Sequence, residues 1–203
     1  KELVDIAEES GADIVKFQTF KAEDLVTSKA KKADYQKKAL PDSPDQLSML
    51  KELELTYKEF DELKKYCDKK PIEFLSTAFS INSLDFLVAI GIKRIKIPSG
   101  EINNLPYLLK ASSYNLPIIL STGMSTIEEI DKAIETIKAT NQSAEFAILH
   151  CNSSYPAPNE DLNLKCIQTL KNRYNCEVGY SGHEFGLTPS IASICLGATI
   201  IER

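Results

Sequence analysis

The chain lacks tryptophan entirely and has only two histidines and two methionines among its 203 residues. Its five cysteines are scattered, with no pair at CxxC spacing. An odd number of separated cysteines is typical of reduced thiols rather than of a disulfide framework. This cysteine usage argues against a disulfide-stabilised secreted domain, and we take the cytoplasm as the expected compartment.

Long hydrophobic runs are also missing. No apolar segment approaches the roughly 18–20 residues needed to cross a bilayer, and the first residues have the pattern of a helix rather than of a signal peptide. The formal net charge of −5 argues against a nucleic-acid-binding surface, although local cations could still bind a small anion. We therefore expect neither a membrane nor a nucleic acid among the partners.

Seven short apolar segments alternate with amphipathic helical segments. They are rich in Ile and Val, as parallel strands covered on both faces should be, and comprise residues 12–18, 72–79, 93–99, 116–122, 145–151, 176–182 and 198–203. From the third onward their starts are about 20–30 residues apart, the size of one βα unit. The first element is a helix that must follow a preceding strand, which makes eight strands.

This pattern predicts an α/β protein with a (β/α)8 TIM barrel over residues 1–203 that lacks its first strand and the region after strand 8. The alternative is an open doubly wound sheet, but the chain contains no GxGxxG motif. The chain has no initiator Met and stops at Arg203 inside an apolar run. We therefore expect it to be part of a longer protein.

Two helix starts carry capping signatures, and one connection is unusually long. Ser125 with Glu128, and Thr56 with Glu59, have the spacing of a capping box at a helix N-terminus. The segment between residues 20 and 72 is too long for a plain connector and includes a basic stretch. Loops of this length are typical of lids or binding elements, and a solvated surface insertion is the alternative.

Polar side chains follow nearly every predicted strand. In a barrel the C-terminal ends of the strands line the active site, so these side chains are the candidates for function. They are Lys16, Gln18, Thr77, Lys96, Ser99, Glu101, Ser121, Thr122, Ser153, Ser154, Tyr155, Ser181, His183 and Glu202. Two lysines with several hydroxyls and nearby helix N-termini predict a site for a phosphorylated or carboxylated small molecule.

Several candidates also have a purely structural interpretation. Lys16 could extend out of a strand end, Glu101 could be an ordinary carboxylate at a helix start, and Ser121 could cap a turn. Lys96 lies between two isoleucines and therefore points opposite to them, which favours the barrel interior.

The two histidines have different sequence contexts. His150 ends an apolar run, which is typical of a hydrogen-bonded structural histidine. His183 lies in the segment GYSGHEFG, where Gly182 removes bulk beside it. This context favours metal binding or proton transfer by His183.

Seven segments together resemble the sialic acid synthase family, which includes N-acetylneuraminate synthase and the related legionaminic and pseudaminic acid synthases. They are GADIVKFQTF, MLKELELTYKEFDELKKYC, FLSTAFS, KIPSGEINNLPYL, ILSTGMSTIEEI, LHCNSSYPAP and GYSGHEFG, in order over essentially the whole chain. The resemblance implies a barrel followed by an antifreeze-like domain, which is absent from this sequence. It also implies a homodimer in which that domain reaches into the partner's site.

The implied reaction joins phosphoenolpyruvate to N-acetylmannosamine or a related N-acylated hexose, giving a nine-carbon 2-keto sugar acid and phosphate. A divalent metal, Mn²⁺ or Mg²⁺, is implied as the cofactor. The matching positions imply phosphoenolpyruvate contacts at Lys16, Thr77, Lys96, Ser99, Ser121 and Ser181, and amino-sugar contacts at Gln18 and Tyr155. They further imply substrate binding at Ser153, catalytic carboxylates at Glu101 and Glu202, and a metal ligand at His183.

The chain departs from the family pattern at its ends. The second metal histidine of the family would follow Arg203, and the first strand, which carries a glutamate of the site, is not present. We therefore expect this chain to be inactive by itself. Two other functions stay open, namely a Schiff-base aldolase that uses Lys96 and a sugar-phosphate binding module without catalysis.

Overall fold

A computed structural model describes residues 1–33, 36–37, 40 and 42–203. The chain divides into two compact units, Lys1–Ile92 and Lys93–Arg203, called unit 1 and unit 2. In both units, parallel strands alternate with α-helices. Residues 34–35, 38–39 and 41, which belong to the predicted insertion, lie outside the described residues.

Unit 1 is built around two parallel strands. Its elements are α1 (Glu2–Glu9), β1 (Ile14–Thr19), α2 (Ala22–Leu25), α3 (Gln46–Leu53), α4 (Tyr57–Cys67), β2 (Glu73–Ala78) and α5 (Ile81–Ala89). Strand β1 pairs with β2, and Gln18 lies opposite Thr77 in the register. Helix α4 begins at the predicted capping box, in which Thr56 accepts from the Glu59 N–H and the Glu59 carboxylate accepts from the Thr56 N–H.

Unit 2 contains five parallel strands in the order β3-β4-β5-β6-β7. Its strands and helices are β3 (Ile95–Ile97), α6 (Leu105–Ser113), β4 (Ile118–Ser121), α7 (Ile127–Thr140), β5 (Phe146–Cys151), α8 (Cys166–Tyr174), β6 (Glu177–Ser181), α9 (Thr188–Cys195) and β7 (Ile200–Glu202). Short 3₁₀ turns follow β3 at Ser99–Glu101 and β5 at Asn159–Asp161.

The core of unit 2 consists of aliphatic side chains from the strands and the helices that cover them. Ile97, Leu120 and Ile148 on the strands, and Leu108 and Ile137 on the helices, are completely buried. Burying each such side chain contributes about 1.5–3 kcal/mol relative to leaving it exposed. This packing holds the strand ends in place, and the candidate site residues follow directly from those ends.

The capping box of α7 lies one residue later than predicted. Thr126 accepts from the Glu129 N–H, and the Glu129 carboxylate accepts from the Thr126 N–H. Ser125 instead donates its hydroxyl to the Gly123 carbonyl at 3.2 Å. The assignment to Ser125 and Glu128 was therefore wrong, because Ser125 belongs to the preceding turn.

The seven predicted strands are all confirmed, and each observed end lies within two residues of its predicted position. Strands β3 and β7 are the shortest, with three residues each, and β3 ends directly before Pro98, which has no N–H to donate to a neighbouring strand. Among the described residues, no helix combines the length and the apolar character needed to span a membrane.

Candidate active site

The ammonium group of Lys96, in the middle of β3, is the charged centre of unit 2. Only 4% of its side chain is exposed. Nζ donates to Ser121 Oγ at 2.5 Å and lies 3.6 Å from Glu202 Oε2. Ser181 donates to Glu202 Oε1 at 2.8 Å. Four predicted site residues from four strands therefore form one contiguous set, the Lys96 group (Lys96, Ser121, Ser181 and Glu202).

The Lys96 group combines one cation, one carboxylate and two hydroxyls in a largely buried position. The carboxylate offsets part of the cost of burying the ammonium, which would otherwise be several kcal/mol. Charge interactions at such a position are stronger than at the surface because water screens them less. The group is therefore suited to bind a small anion at a fixed place.

Tyr155 and His183 form an aromatic pair on the loops after β5 and β6. Their rings are stacked, with centroids 4.0 Å apart and an interplanar angle of 25°. Tyr155 Oη and His183 Nε2 are 2.8 Å apart, and the tautomer of the imidazole decides which of them donates. Tyr155 is 52% exposed, so a ligand can reach the pair.

Ser99 and Ser153 meet beside Gly123, just after β4. The Gly123 N–H donates to Ser99 Oγ at 2.9 Å. A Cβ at this position would lie 2.8 Å from Ser153 Oγ and 3.0 Å from Ser99 Oγ, so glycine allows both hydroxyls to approach the backbone. Because Ser99 Oγ accepts from the amide, its own proton is directed elsewhere, and Cys151 Sγ lies 3.7 Å away. Such a hydroxyl can donate to a phosphate or carboxylate oxygen.

Glu101 lies at the end of the 3₁₀ turn after β3 and is half-buried. Among the described residues, its hydrogen-bond partner is Asn104, whose Nδ2 donates to Glu101 Oε2 at 2.6 Å, rather than any member of the Lys96 group. Burial and, secondarily, the Glu101 charge raise the pKa of the nearby Tyr107 phenol. This placement is compatible with the helix-start interpretation, and a catalytic role for Glu101 stays a prediction.

Unit 1 places its three candidates on one face of the strand pair. Lys16 and Gln18 are two residues apart on β1 and share a side, and Thr77 is the register partner of Gln18. Lys16 is half-buried and Gln18 is exposed, whereas Thr77 is 2% exposed. Within the part of the chain that the structure describes, Thr77 Oγ1 is buried without a hydrogen-bond partner. A buried hydroxyl without a hydrogen-bond partner lowers the stability of the fold by about 1–3 kcal/mol. The position of Thr77 Oγ1 therefore favours contact with a ligand atom.

His150 and Thr122 contact the backbone instead. His150 Nε2 lies 2.7 Å from the Leu162 carbonyl, and burial lowers the pKa of this imidazole although the carbonyl contact acts in the opposite direction. Thr122 Oγ1 donates to the Leu149 carbonyl at 3.0 Å. Both line a cavity of about 280 Å³ beside α7 and α8. The predicted hydrogen bond of His150 is therefore confirmed, and its purely structural role stays a prediction.

One functional candidate was missed by sequence reasoning. Glu184 is 4% exposed, and its Oε2 accepts from the Tyr180 hydroxyl at 2.7 Å. Its Oε1 accepts from Arg203 Nη1 at 2.9 Å. The sequence could have drawn attention to Glu184, because this carboxylate stands between His183 and an aromatic residue in a glycine-rich segment. Nothing in the sequence, however, indicates that it is buried.

The described residues contain no cluster of three or more His, Cys, Asp or Glu side chains that could hold a metal ion. His183 supplies one accessible imidazole, and its Nε2 already faces Tyr155. Protein sites for catalytic metals commonly supply three side-chain ligands. The residues described here therefore do not fit a complete metal site by themselves.

Comparison with known proteins identifies close relatives. N,N'-diacetyllegionaminic acid synthase of Legionella pneumophila is 47% identical over 206 residues, which cover 100% of this chain and 58% of the relative. The enzyme of the same name from Campylobacter jejuni is 47% identical, with 100% and 61% covered. Human N-acetylneuraminate-9-phosphate synthase is 31% identical, with 100% and 56% covered. The chain thus spans somewhat more than half the length of these relatives.

Solved structures confirm the predicted fold class. The N-acetylneuraminic acid synthetase of Leptospira borgpetersenii, solved with citrate, has a TM-score of 0.86 at 33% identity over 100% of this chain and 65% of that one. The spore coat polysaccharide biosynthesis protein SpsE of Bacillus subtilis has a TM-score of 0.81 at 34% identity, over 100% and 53% of the two chains. A truncated 3-deoxy-D-arabino-heptulosonate 7-phosphate synthase of Thermotoga maritima shares the fold at 18% identity and a TM-score of 0.72.

The fold is therefore that of the TIM-barrel synthases. The NeuB family matches residues 3–203, nearly the entire chain. This match agrees with the resemblance carried by the seven sequence segments and with the names of the relatives. The chain belongs to the NeuB family.

Proposed function

We propose that the protein carrying this chain is a synthase that joins phosphoenolpyruvate to an N-acylated amino sugar, giving a nine-carbon 2-keto sugar acid and phosphate. The Lys96 group is the observation that carries this proposal. Its buried ammonium lies 2.5 Å from the Ser121 hydroxyl at the C-terminal ends of parallel strands. A cation with neighbouring hydroxyls suits a small molecule that bears a carboxylate and a phosphate. Membership of the NeuB family supports the same reaction class.

In the proposed reaction, C3 of phosphoenolpyruvate forms a bond to the aldehyde carbon of the open-chain sugar. The aldehyde oxygen takes up a proton, positive charge develops at C2, and water adds there. The C2 hydroxyl then gives its proton to the departing phosphate as the bond between C2 and the phosphate oxygen breaks, which leaves the 2-keto acid and free phosphate. Lys96 would hold the anionic groups in place throughout, and Glu202, 3.6 Å from Lys96 and bonded to Ser181, can accept a proton from the attacking water.

The Tyr155–His183 pair is our candidate contact for the amino sugar. Its exposed aromatic surface can pack against the apolar face of a sugar, and its polar edge can hydrogen-bond to hydroxyls.

We also propose His183 as one ligand of Mn²⁺ or Mg²⁺. Chelation with EDTA should then abolish turnover, and His183→Gln should raise the metal concentration needed for half-maximal rate.

The identity of the amino sugar is the finer part of the proposal. The two relatives at 47% identity are named for N,N'-diacetyllegionaminic acid, whereas the human relative at 31% is named for N-acetylneuraminate-9-phosphate. A diacetylated hexose is therefore the first substrate to test, followed by N-acetylmannosamine and its 6-phosphate. A pseudaminic acid precursor is the fourth candidate, because a relative at 30% identity bears that name.

Phosphate release tests the reaction directly. The protein is incubated with phosphoenolpyruvate, Mn²⁺ and each sugar in turn, and both phosphate and a nine-carbon 2-keto acid are measured. We expect phosphate to appear only when one of the sugars is present, in equal amount to the keto acid. Release without sugar, or no release with any of the four, would overturn the proposal.

A matched pair of lysine variants links the reaction to the site. Lys96→Met removes the buried ammonium and should lower the rate at least about 100-fold, because it contacts substrate in the transition state as well as on binding. Lys132→Met removes an exposed ammonium from α7, where 63% of the side chain is accessible, and should leave the rate unchanged. Equal rates in the two variants would exclude Lys96 from the site.

A Schiff-base aldolase is the second candidate, because Lys96 is a buried lysine on a strand. Attack on a carbonyl needs a neutral amine, and the Glu202 carboxylate beside Lys96 stabilises a charged one. Borohydride reduction in the presence of pyruvate would trap a covalent adduct on Lys96 only in an aldolase. Sugar binding without phosphate release would instead indicate a binding module.

A further inference from the structure

A buried carboxylate lies directly beside His183 and has no part in the proposed reaction. Glu184 follows His183 in the loop after β6, and its side chain is 0% exposed. It accepts hydrogen bonds from the Tyr180 hydroxyl at 2.7 Å and from Arg203 Nη1 at 2.9 Å. These three residues are the Glu184 cluster. A carboxylate can be buried in this way because its charge and both its oxygens are satisfied.

The loop that carries the imidazole is fixed at three consecutive residues. The Gly182 N–H donates to a carbonyl of β7 at 3.0 Å, and the His183 carbonyl accepts from an N–H of the loop after β5 at 3.0 Å. The Glu184 carbonyl accepts from Arg203 Nη2 at 2.9 Å. A Cβ on Gly182 would lie 2.7 Å from Glu184 Oε2, so the carboxylate packs directly under this backbone.

Arg203 connects the loop to a helix as well. Its Nη1 donates to Ser190 Oγ of α9 at 2.9 Å in addition to the Glu184 carboxylate. The guanidinium therefore joins the end of β7, the loop after β6 and the start of α9. Through these contacts the carboxylate sets the backbone from which the imidazole projects.

We propose that Glu184 is a positioning residue for His183, which it holds through Tyr180 and Arg203 in the orientation that stacks on Tyr155. This inference rests on the proposed function for its catalytic consequence, since the oriented imidazole matters only if the pair contacts substrate. The orientation itself is independent of that function and can be measured separately.

Glu184→Gln is the informative variant because glutamine has the same shape. The single amide oxygen of glutamine can accept a hydrogen bond from Tyr180 or from Arg203. Its NH₂ group then faces the other donor, and two donors cannot form a hydrogen bond with each other. We expect the loop to shift and the stacking on Tyr155 to be lost. In activity, kcat should fall about 10- to 100-fold, the range seen when a group that orients a site ligand is removed, with the KM for phosphoenolpyruvate unchanged.

Proton NMR of the histidine rings measures the orientation of His183 without any substrate or metal. This chain has two histidines, and His183 is assigned by comparison with His183→Gln, which leaves His150 as an internal reference. In the unsubstituted protein the ring protons of His183 should be shifted upfield by the stacked Tyr155 ring at 4.0 Å. Glu184→Gln should remove that shift, and Glu184→Asp, which keeps the charge, should restore part of it.

A second cluster, which also contains a carboxylate, a tyrosine hydroxyl and a guanidinium, provides the control. Asp131 accepts from Arg173 Nη2 at 2.5 Å and from the Tyr174 hydroxyl at 2.8 Å, and it joins α7 to α8 (the Asp131 cluster). Asp131→Asn should leave both the His183 signals and kcat unchanged. If Glu184→Gln behaves like Asp131→Asn, the positioning role is refuted.

Two further outcomes have defined meanings. If Glu184→Gln does not fold, Arg203→Lys replaces it, because lysine keeps the charge but cannot bond to both the Glu184 carboxylate and the Glu184 carbonyl in the same way. Retention of the upfield His183 signals in that variant would refute the proposal. If the unsubstituted protein releases no phosphate, the proposed function fails, whereas the loss of the upfield shift in Glu184→Gln would still support positioning.

Discussion

The Glu184 cluster and the Asp131 cluster contain the same three chemical groups but lie in different surroundings. The Glu184 side chain is 0% exposed at the strand ends, whereas that of Asp131 is 31% exposed between two helices. Hydrogen bonds and charge pairs become stronger, and costlier to break, as the surroundings become less polar. We infer that burial, rather than the kind of side chain, decides how much such a cluster contributes to the stability of the protein.

The largest expected difference follows removal of the carboxylates. Glu184→Ala leaves the buried Tyr180 hydroxyl without its acceptor and the partly buried Arg203 guanidinium without its carboxylate partner, and it should lower the free energy of unfolding by about 3 kcal/mol. Asp131→Ala should lower it by no more than about 1 kcal/mol, since water can replace the lost partner. Urea denaturation followed by circular dichroism measures both. Equal losses would show that the two surroundings do not differ in effect.

Removal of single hydroxyls should give a smaller difference in the same direction. Tyr180→Phe deletes one hydrogen bond to a buried charged group and should lower the free energy of unfolding by about 1.5 kcal/mol. Tyr174→Phe deletes the corresponding hydrogen bond at the helix surface and should lower the free energy of unfolding by about 0.5 kcal/mol. The same denaturation experiment applies, and a larger loss in Tyr174→Phe would reverse the comparison.

Alkaline titration should separate the two tyrosines. Burial first, and then the bond to Asp131, raises the pKa of Tyr174 to about 12 from an ordinary value of 10.0. Burial and the bond to Glu184 also raise the pKa of Tyr180. Because the folded-state pKa of each tyrosine lies above the unfolded one, the stability that each contributes is fully present below pH 10 and falls as the pH rises further; for Tyr174 it is lost as the pH rises through about 12.

The ultraviolet absorbance of phenolate measures this titration, and the Tyr→Phe variants assign its steps. We expect Tyr180 to ionise only together with unfolding, because its side chain is completely buried. Ionisation of Tyr180 near its ordinary pKa in the folded protein would contradict the assignment of a buried cluster.

The smallest expected effect belongs to Asp131→Asn. Asparagine keeps one acceptor for Arg173 or Tyr174, and at this partly exposed position water can satisfy the other donor, so the free energy of unfolding should fall by less than about 0.5 kcal/mol. Phosphate release should stay at the level of the unsubstituted protein. A marked loss of activity would mean that the helix surface is coupled to the strand ends.

Most of the fold was predictable from the sequence because its signals are local. The apolar runs gave all seven strands, and the spacing of Thr56 and Glu59 gave the start of α4. The inward direction of Lys96 followed from alternation with its isoleucine neighbours, and its contact with Ser121 agrees with that direction. Whether these residues perform the predicted chemistry stays a prediction.

The parts that were missed depend on contacts between distant residues. Arg203 lies 19 residues beyond Glu184, and only the folded chain brings its guanidinium to that carboxylate. The cap of α7 was misplaced because Ser125 and Thr126 both stand three residues before a glutamate, and the hydrogen bond of Ser125 to its own turn decides between them. Periodicity and spacing contain no information on either contact.

The unpartnered hydroxyl of Thr77 has a consequence for folding itself. A ligand oxygen that reaches Thr77 Oγ1 would return the roughly 1–3 kcal/mol that this buried group costs in its absence. Such a ligand would then act on unit 1 as a folding partner, so that resistance to heat and to proteolysis rises with its concentration. A cell that accumulates such a ligand would thereby also preserve the protein that binds it.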